Sequence, residues 1–218
     1  MSEREGDGAR LVGLIRHTPD AGDAPAIARR LLERYGSAAA AMESDPEDLI
    51  ASCGVRPRTA ELICAVPSAA RRALRDDFGK SPRLDAPERA REYVAALYPG
   101  VHRERLYLLC MDPSGKLINC AALFQGTRDE SPFYPRLIAE RAIRSGAAKV
   151  SLAHNHPDGT AAFSRADVRA TRDAIGLLRA IGIPVLEHWL CAGGRVIGMR
   201  ESGLIPEGEW AGEVGANP

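Results

Sequence analysis

The stretch from Lys149 to Asp167, KVSLAHNHPDGTAAFSRAD, constrains the fold more than any other part of the chain. KVSLAHNH is an apolar run of strand length, and side chains two apart in an extended strand leave the same face. His154 and His156 therefore point together from the end of a strand. The chain then turns through Pro157, Asp158 and Gly159, and Ser164 stands where a helix starts. Asp167 falls in the first turn of that helix, near where the strand ended. Any fold for this chain has to bring a strand end and a helix start to one point.

Two imidazoles and a carboxylate form a ligand set that leaves the fourth position of tetrahedral zinc open, the mark of a catalytic ion. Zinc polarises carbonyls and acidifies water, so amide hydrolysis is its natural chemistry. Spacing leaves a second reading open. Ser164 to Asp167 is also the spacing of a capping box, in which the serine accepts from a helix amide and the acid reaches back.

The neighbouring text supplies a frame for such a point. A helix from Pro87 to Leu97 precedes RLYLLCMD, a turn at Pro113, Ser114 and Gly115, and KLINCAALFQGT, which together read as a hairpin. PRLIAERAIRSG is helical with an apolar stripe of Leu137, Ile138, Ala142 and Ile143. A long helix from Ser164 to Ile181 follows the histidine strand, and IPVLEHWLCAGG with RVIGM closes as a strand pair. The order α-β-β-α-β-α-β-β predicts a mixed sheet wrapped by helices over residues 84–205, with 206–218 a polar tail.

The part before it has a different rhythm. Residues 1–8 are polar and Gly-rich, as at a frayed terminus. Residues 9–78 carry Ala, Leu and Arg in helical periods: PAIARRLLERYG places Ile27, Leu31, Leu32 and Tyr35 on one side and stops at Gly36. Two further helices flank a turn at Gly54, Val55, Arg56 and Pro57, the outline of a helix-hairpin-helix. Such a turn can hold a nucleic-acid phosphate on unpaired helix amides. Gly54, Arg56 and Arg58 are the candidate DNA contacts, but Arg56 stands where a second glycine belongs and Pro57 has no N–H to give. A small helical bundle is the competing reading. GKSPRLDA, residues 79–86, is the expected boundary.

Charge narrows partners only slightly. Acidic and basic residues balance at 29 each, so no anionic surface is demanded, and any phosphate contact has to be local. No apolar run approaches the roughly 20 residues that span a bilayer, and a soluble, cytoplasmic protein is expected. The five cysteines form no CxxC pair and read as core thiols.

HxH, seven residues, Ser, two residues, Asp, following an apolar strand, resembles the JAMM motif of the JAB/MPN metalloproteases. The text around it is similar to the bacterial RadC family, long labelled as DNA repair proteins: LAHNHPDG at 152–159, LFQGT at 123–127, VLEHWL at 185–190 and RRLLERYGS at 29–37 fall where that family has them. The resemblance implies a cytidine-deaminase-like JAB/MPN α/β domain behind a degenerate helix-hairpin-helix domain. It implies a zinc hydrolase of peptide or isopeptide bonds, with His154, His156 and Asp167 as ligands and Ser164 helping to hold the carbonyl oxygen or oxyanion. Glu187 and His188, on the last long strand, are read either as partners of a ligand imidazole that fix its tautomer or as a polar pair at the core edge.

One part of that chemistry is missing. RadC-like sequences carry a general-base glutamate just before the LFxGT segment, and here Ala121 occupies the aligned position. Glu130 and Asp158 are the substitute carboxylates open to sequence reading. A non-catalytic module of the same fold, binding zinc, a protein partner or DNA, is the alternative to an attenuated hydrolase.

Overall fold

The computed structural model describes residues 3–126 and 135–210 of the 218-residue chain. Its contacts divide it into two units, Met1–Leu74 with Pro99–His102, and Arg75–Tyr98 with Arg103–Pro218.

The first unit is helical: α1 Glu3–Ile15, α2 Ala24–Tyr35, α3 Ala38–Met42, α4 Pro46–Cys53 and α5 Pro57–Asp76, the last running past the unit's edge. Leu11, Ile15, Ile27, Leu31, Leu49 and Ile63 form its core. Gly36 ends α2 at φ 81°, donating its N–H to Leu32 O, as the sequence reading of that helix expects. Of the start expected as frayed, residues 3–8 belong to α1. Asp7 ties that turn down by accepting the Ala38 N–H at 2.9 Å.

Gly54 (φ 63°) ends α4 and α5 starts at Pro57, so the hairpin outline is present. Its anion site is already filled from within the unit. The carboxylate of Asp20, itself buried, accepts the Arg56 N–H at 2.9 Å and pairs with the Arg56 guanidinium at 3.2 Å.

In the second unit, α6 Pro87–Ala95 leads to β1 Glu104–Met111, β2 Leu117–Gly126, α7 Pro135–Arg144, β3 Lys149–Asn155, α8 Arg165–Ala180, β4 Val185–Ala192, β5 Arg195–Gly198 and α9 Glu207–Trp210. The sheet runs β2-β1-β3-β4-β5, with β3 and β4 parallel and every other pair antiparallel. The hairpin turns at Gly115 (φ 81°), whose N–H donates to Asp112 O.

Helices α7 and α8 pack on the sheet face that carries Leu106, Leu108, Val150 and Leu152. The other face meets α6 and the residues after it, where Tyr98 packs edge-on against Tyr107 and Arg91 lies over the Trp189 ring. Within the stretch expected as a polar tail from residue 206, Glu207–Trp210 form α9. Trp210 is buried in the sheet unit's core and its indole N–H donates to Ile205 O at 3.1 Å.

A bulge in β4 sets which of its side chains reach α8. Val150 pairs with Val185 and Leu152 pairs with His188, so β4 carries one residue more than β3 between these rows. The extra residue lets Val185 and His188, three apart, both face α8. The cysteines are free, Cys53 and Cys110 being fully buried. No helix among the described residues is long and apolar enough to cross a membrane.

Candidate metal centre

His154 is completely buried at the end of β3, on the α8 side of the sheet. Asn155 leaves the opposite side, accepting the Arg105 N–H at 2.9 Å and donating to Arg103 O at 3.2 Å, which fastens the strand end to the start of β1. His156 returns to the side of His154, its backbone N–H bonded to Cys191 O of β4 at 3.1 Å. The alternation expected from HxH thus holds one residue beyond the strand.

At the start of α8, Ser164 Oγ accepts the Asp167 N–H at 3.1 Å and Asp167 Oδ2 accepts the Ser164 N–H at 2.6 Å. The capping box is therefore real. The same carboxylate lies 3.7 Å from His154 Nε2 and 3.6 Å from His156 Nε2, and the two Nε2 atoms are 3.2 Å apart. Both readings of the Ser-x-x-Asp spacing are true at once, because the cap orients the acid that completes the cluster. Among the described residues this is the group whose donor atoms could hold a metal ion, all within 4.8 Å of one another.

The donor set fits a cation. His156 Nδ1 stands 2.9 Å from Thr160 O, and a carbonyl can only accept, so Nδ1 carries the hydrogen. In the neutral ring the Nε2 lone pair is then turned toward His154 Nε2 and an anionic carboxylate. Nitrogen and oxygen donors of this kind suit zinc.

Burial opposes ionisation of Asp167, but His156, His154 and the Ser164 donors outweigh it and hold the carboxyl below its ordinary range. Burial pushes His154 down to about 4 against the pull of Asp167, and pushes His188 well below the usual value. The Asp167 contact raises His156 against its own burial.

These shifts give a pH dependence. Below the ordinary histidine value of about 6.5, the unfolded chain protonates His154 and His188, while burial in the fold holds His154 neutral down to about 4 and disfavours the charged form of His188. The unfolded state then binds more protons, so metal-free stability falls as pH falls through that window; His156, raised in the fold, works the other way. The expected net loss between about pH 7 and about pH 5.5 is on the order of 1–2 kcal/mol, read from urea midpoints. A midpoint that rises on acidification contradicts it.

The other sequence candidates divide. His188 does stand behind a cluster imidazole, its Nε2 2.9 Å from His154 Nδ1. Glu187 does not. It accepts from the backbone N–H groups of His188, Arg200 and Glu201, and serves the β4 bulge and the end of β5. Ser164 is exposed at the rim with its hydroxyl oxygen engaged by the Asp167 amide. Gly54, Arg56 and Arg58 belong to the other unit.

Ala121 pairs with Leu108, which pairs with Leu152, so it lies on the His154 face of the sheet and one row away. Asp158 accepts the Thr160 N–H at 3.0 Å as part of the turn. Glu130 lies outside the described residues.

Two residues were not anticipated. Thr171, completely buried one turn beyond Asp167, has its Oγ1 2.6 Å from His188 Nδ1 and donates to Asp167 O at 2.6 Å. Glu104, two before Leu106 on β1, lines a cleft of about 490 Å³ with His156, Phe163, Ser164 and Asp167, and its charge acts on His156. Strand alternation from Leu106 was the signal for Glu104; a threonine inside a helix gave none.

A five-stranded mixed sheet flanked by helices, with a His-His-Asp cluster where a strand end meets a helix start, is a JAB-type domain. Residues 84–204 match the family model described as a RadC-like JAB domain. The chain belongs to that family. It is 31% identical over 195 residues to a UPF0758 protein of Cupriavidus taiwanensis, covering 89% of this chain and 86% of the relative. A UPF0758 protein of Idiomarina loihiensis is 32% identical over 198 residues (90% and 88%), and one of Bordetella bronchiseptica is 34% identical over 196 residues (89% and 87%).

Proposed function

We propose that this chain is a zinc-dependent hydrolase of peptide or isopeptide bonds, working slowly because its family's general-base position is occupied by alanine. The observation that carries the reading is the convergence of His154 Nε2, His156 Nε2 and the Asp167 carboxylate within 4.8 Å. In this reading these three hold zinc, which supplies a Lewis acid for a carbonyl and acidifies water.

The chain's own groups have separate tasks. Asp167 keeps Oδ2 on the Ser164 amide, so the helix cap holds the acid in place as a ligand. Ser164 receives the Asp167 N–H on Oγ, which leaves its hydroxyl hydrogen to donate to a substrate carbonyl oxygen. Phe163, whose ring centroid is 5.8 Å from that of His154, keeps water from that side of the buried imidazole. Of the cleft's carboxylates besides Asp167, Glu104 and Asp173, it is Glu104 whose charge acts on His156, and its Oε is the candidate to take a proton in place of the absent residue.

A binding module of the same fold is the second reading, favoured by Ala121 on the very face where an acid is needed. A role in holding DNA phosphate at the Gly54 turn has less support, since the Asp20 carboxylate already uses the Arg56 amide and guanidinium.

Metal content tests the site. Full-length protein purified with zinc present is expected to carry about one zinc per chain, and a His154→Ala/His156→Ala variant to carry none. Natural protein that emerges folded and metal-free removes the proposal.

A further inference from the structure

We propose that Thr171 is a positioning residue for the cluster: through His188, it sets the tautomer in which His154 offers Nε2 as a ligand atom. The inference rests on the metal-site reading, but its hydrogen-bond logic stands on distances alone.

The relay starts at a group with no choice. Asp167 O is a carbonyl and can only accept, so the single hydroxyl hydrogen of Thr171, 2.6 Å away, is committed to it. A threonine on a helix commonly bonds back four residues in this way. Thr171 Oγ1 can then only accept from His188 Nδ1, also at 2.6 Å, which puts the His188 hydrogen on Nδ1.

His188 has 0% exposure, a place that disfavours a charged ring, and in the neutral ring its Nε2 is an acceptor. The 2.9 Å contact from that Nε2 to His154 Nδ1 therefore takes its hydrogen from His154. With Nδ1 protonated, His154 presents the Nε2 lone pair toward His156 and Asp167. If the hydroxyl were absent, His188 Nδ1–H would be buried without this acceptor. The opposite tautomer, with Nε2 protonated on both rings, would then compete and block the ligand atom.

The fold builds the relay from one helical turn and one strand bulge. Asp167 and Thr171 are a turn apart, so α8 supplies a ligand and the fixed end of the relay on one face. The β4 bulge turns His188 toward that helix. Thr171 also commits the backbone carbonyl of Asp167, so cap, ligand and relay share one turn of α8.

The test uses the full chain with Thr171→Val, which keeps the shape and removes the hydroxyl, and Thr171→Ser, which keeps the hydroxyl. Nitrogen-15 spectra of the metal-free natural protein are expected to show hydrogen on Nδ1 of both His154 and His188. Zinc affinity, measured by chelator competition, is expected to fall about 10–100-fold in Thr171→Val and to return to within about 3-fold of natural in Thr171→Ser. Hydrogen on Nε2 of His154 in the natural protein overturns the inference, as does a Thr171→Val chain with natural zinc affinity. Should the valine variant not fold, the spectra of the natural protein decide. Natural protein that shows the assigned tautomers but binds no zinc defeats the metal-site reading, and with it the relay's role in metal binding, while leaving the hydrogen-bond assignment intact.

Discussion

The Ala121→Glu variant is expected to hydrolyse a peptide or isopeptide substrate about 10²–10⁴ times faster than the natural chain, the usual contribution of a positioned general base. The register is the reason. Ala121, Leu108 and Leu152 form one row across three strands, and His154 is the next residue of β3 on that face. Ala121 is also partly exposed, so a carboxylate placed there keeps solvent and does not strand a charge in the core. Its Oε then takes a proton from the attacking water and returns it to the leaving amine. The check is a rate comparison at equal zinc content. Equal rates in two equally loaded proteins sink the attenuation argument. A natural chain that is already fast, and is silenced by Glu104→Gln, assigns the proton to Glu104 instead.

That contingency shows where sequence reading stops. The periodicity of KVSLAHNH and the Ser164-to-Asp167 spacing were enough to place a strand end against a helix start, since both rest on geometry inside one element. The order of elements in the sheet unit was legible for the same reason. What was not legible depends on phase between elements. Glu187 and His188 are neighbours in sequence and looked equivalent, yet the β4 bulge sends His188 to the cluster and leaves Glu187 bonded to the amides of Arg200 and Glu201.

Thr171 reads as any helix residue until His188 is known to face it. Trp210 was lost in a polar stretch because burial of one large indole outweighs its charged neighbours. Asp20 is the same kind of case in the helical unit, since nothing in its local sequence says that it will occupy the amide of a turn 36 residues later.

Removing zinc is expected to lower the stability of the full chain by about 4 kcal/mol when free metal had stood near 1,000 times its Kd. The mechanism is specific to the cluster. Without a cation, the Nε2 atoms of His154 and His156 stand 3.2 Å apart beside an ionised Asp167, and a proton carried by His156 is the relief open to them. Zinc held as proposed would satisfy all three donors at once and would bind the fold in preference to the unfolded chain. The His154→Ala/His156→Ala chain should unfold at the same denaturant concentration with and without zinc. The helix cap alone cannot produce this pattern: Ser164→Ala costs about 1 kcal/mol whether or not metal is present, because it removes the acceptor of the Asp167 N–H and no ligand atom. The difference between these two variants separates the tasks that Asp167 performs together. A natural chain whose unfolding midpoint is the same at every zinc concentration reduces the cluster to a capped helix beside two histidines.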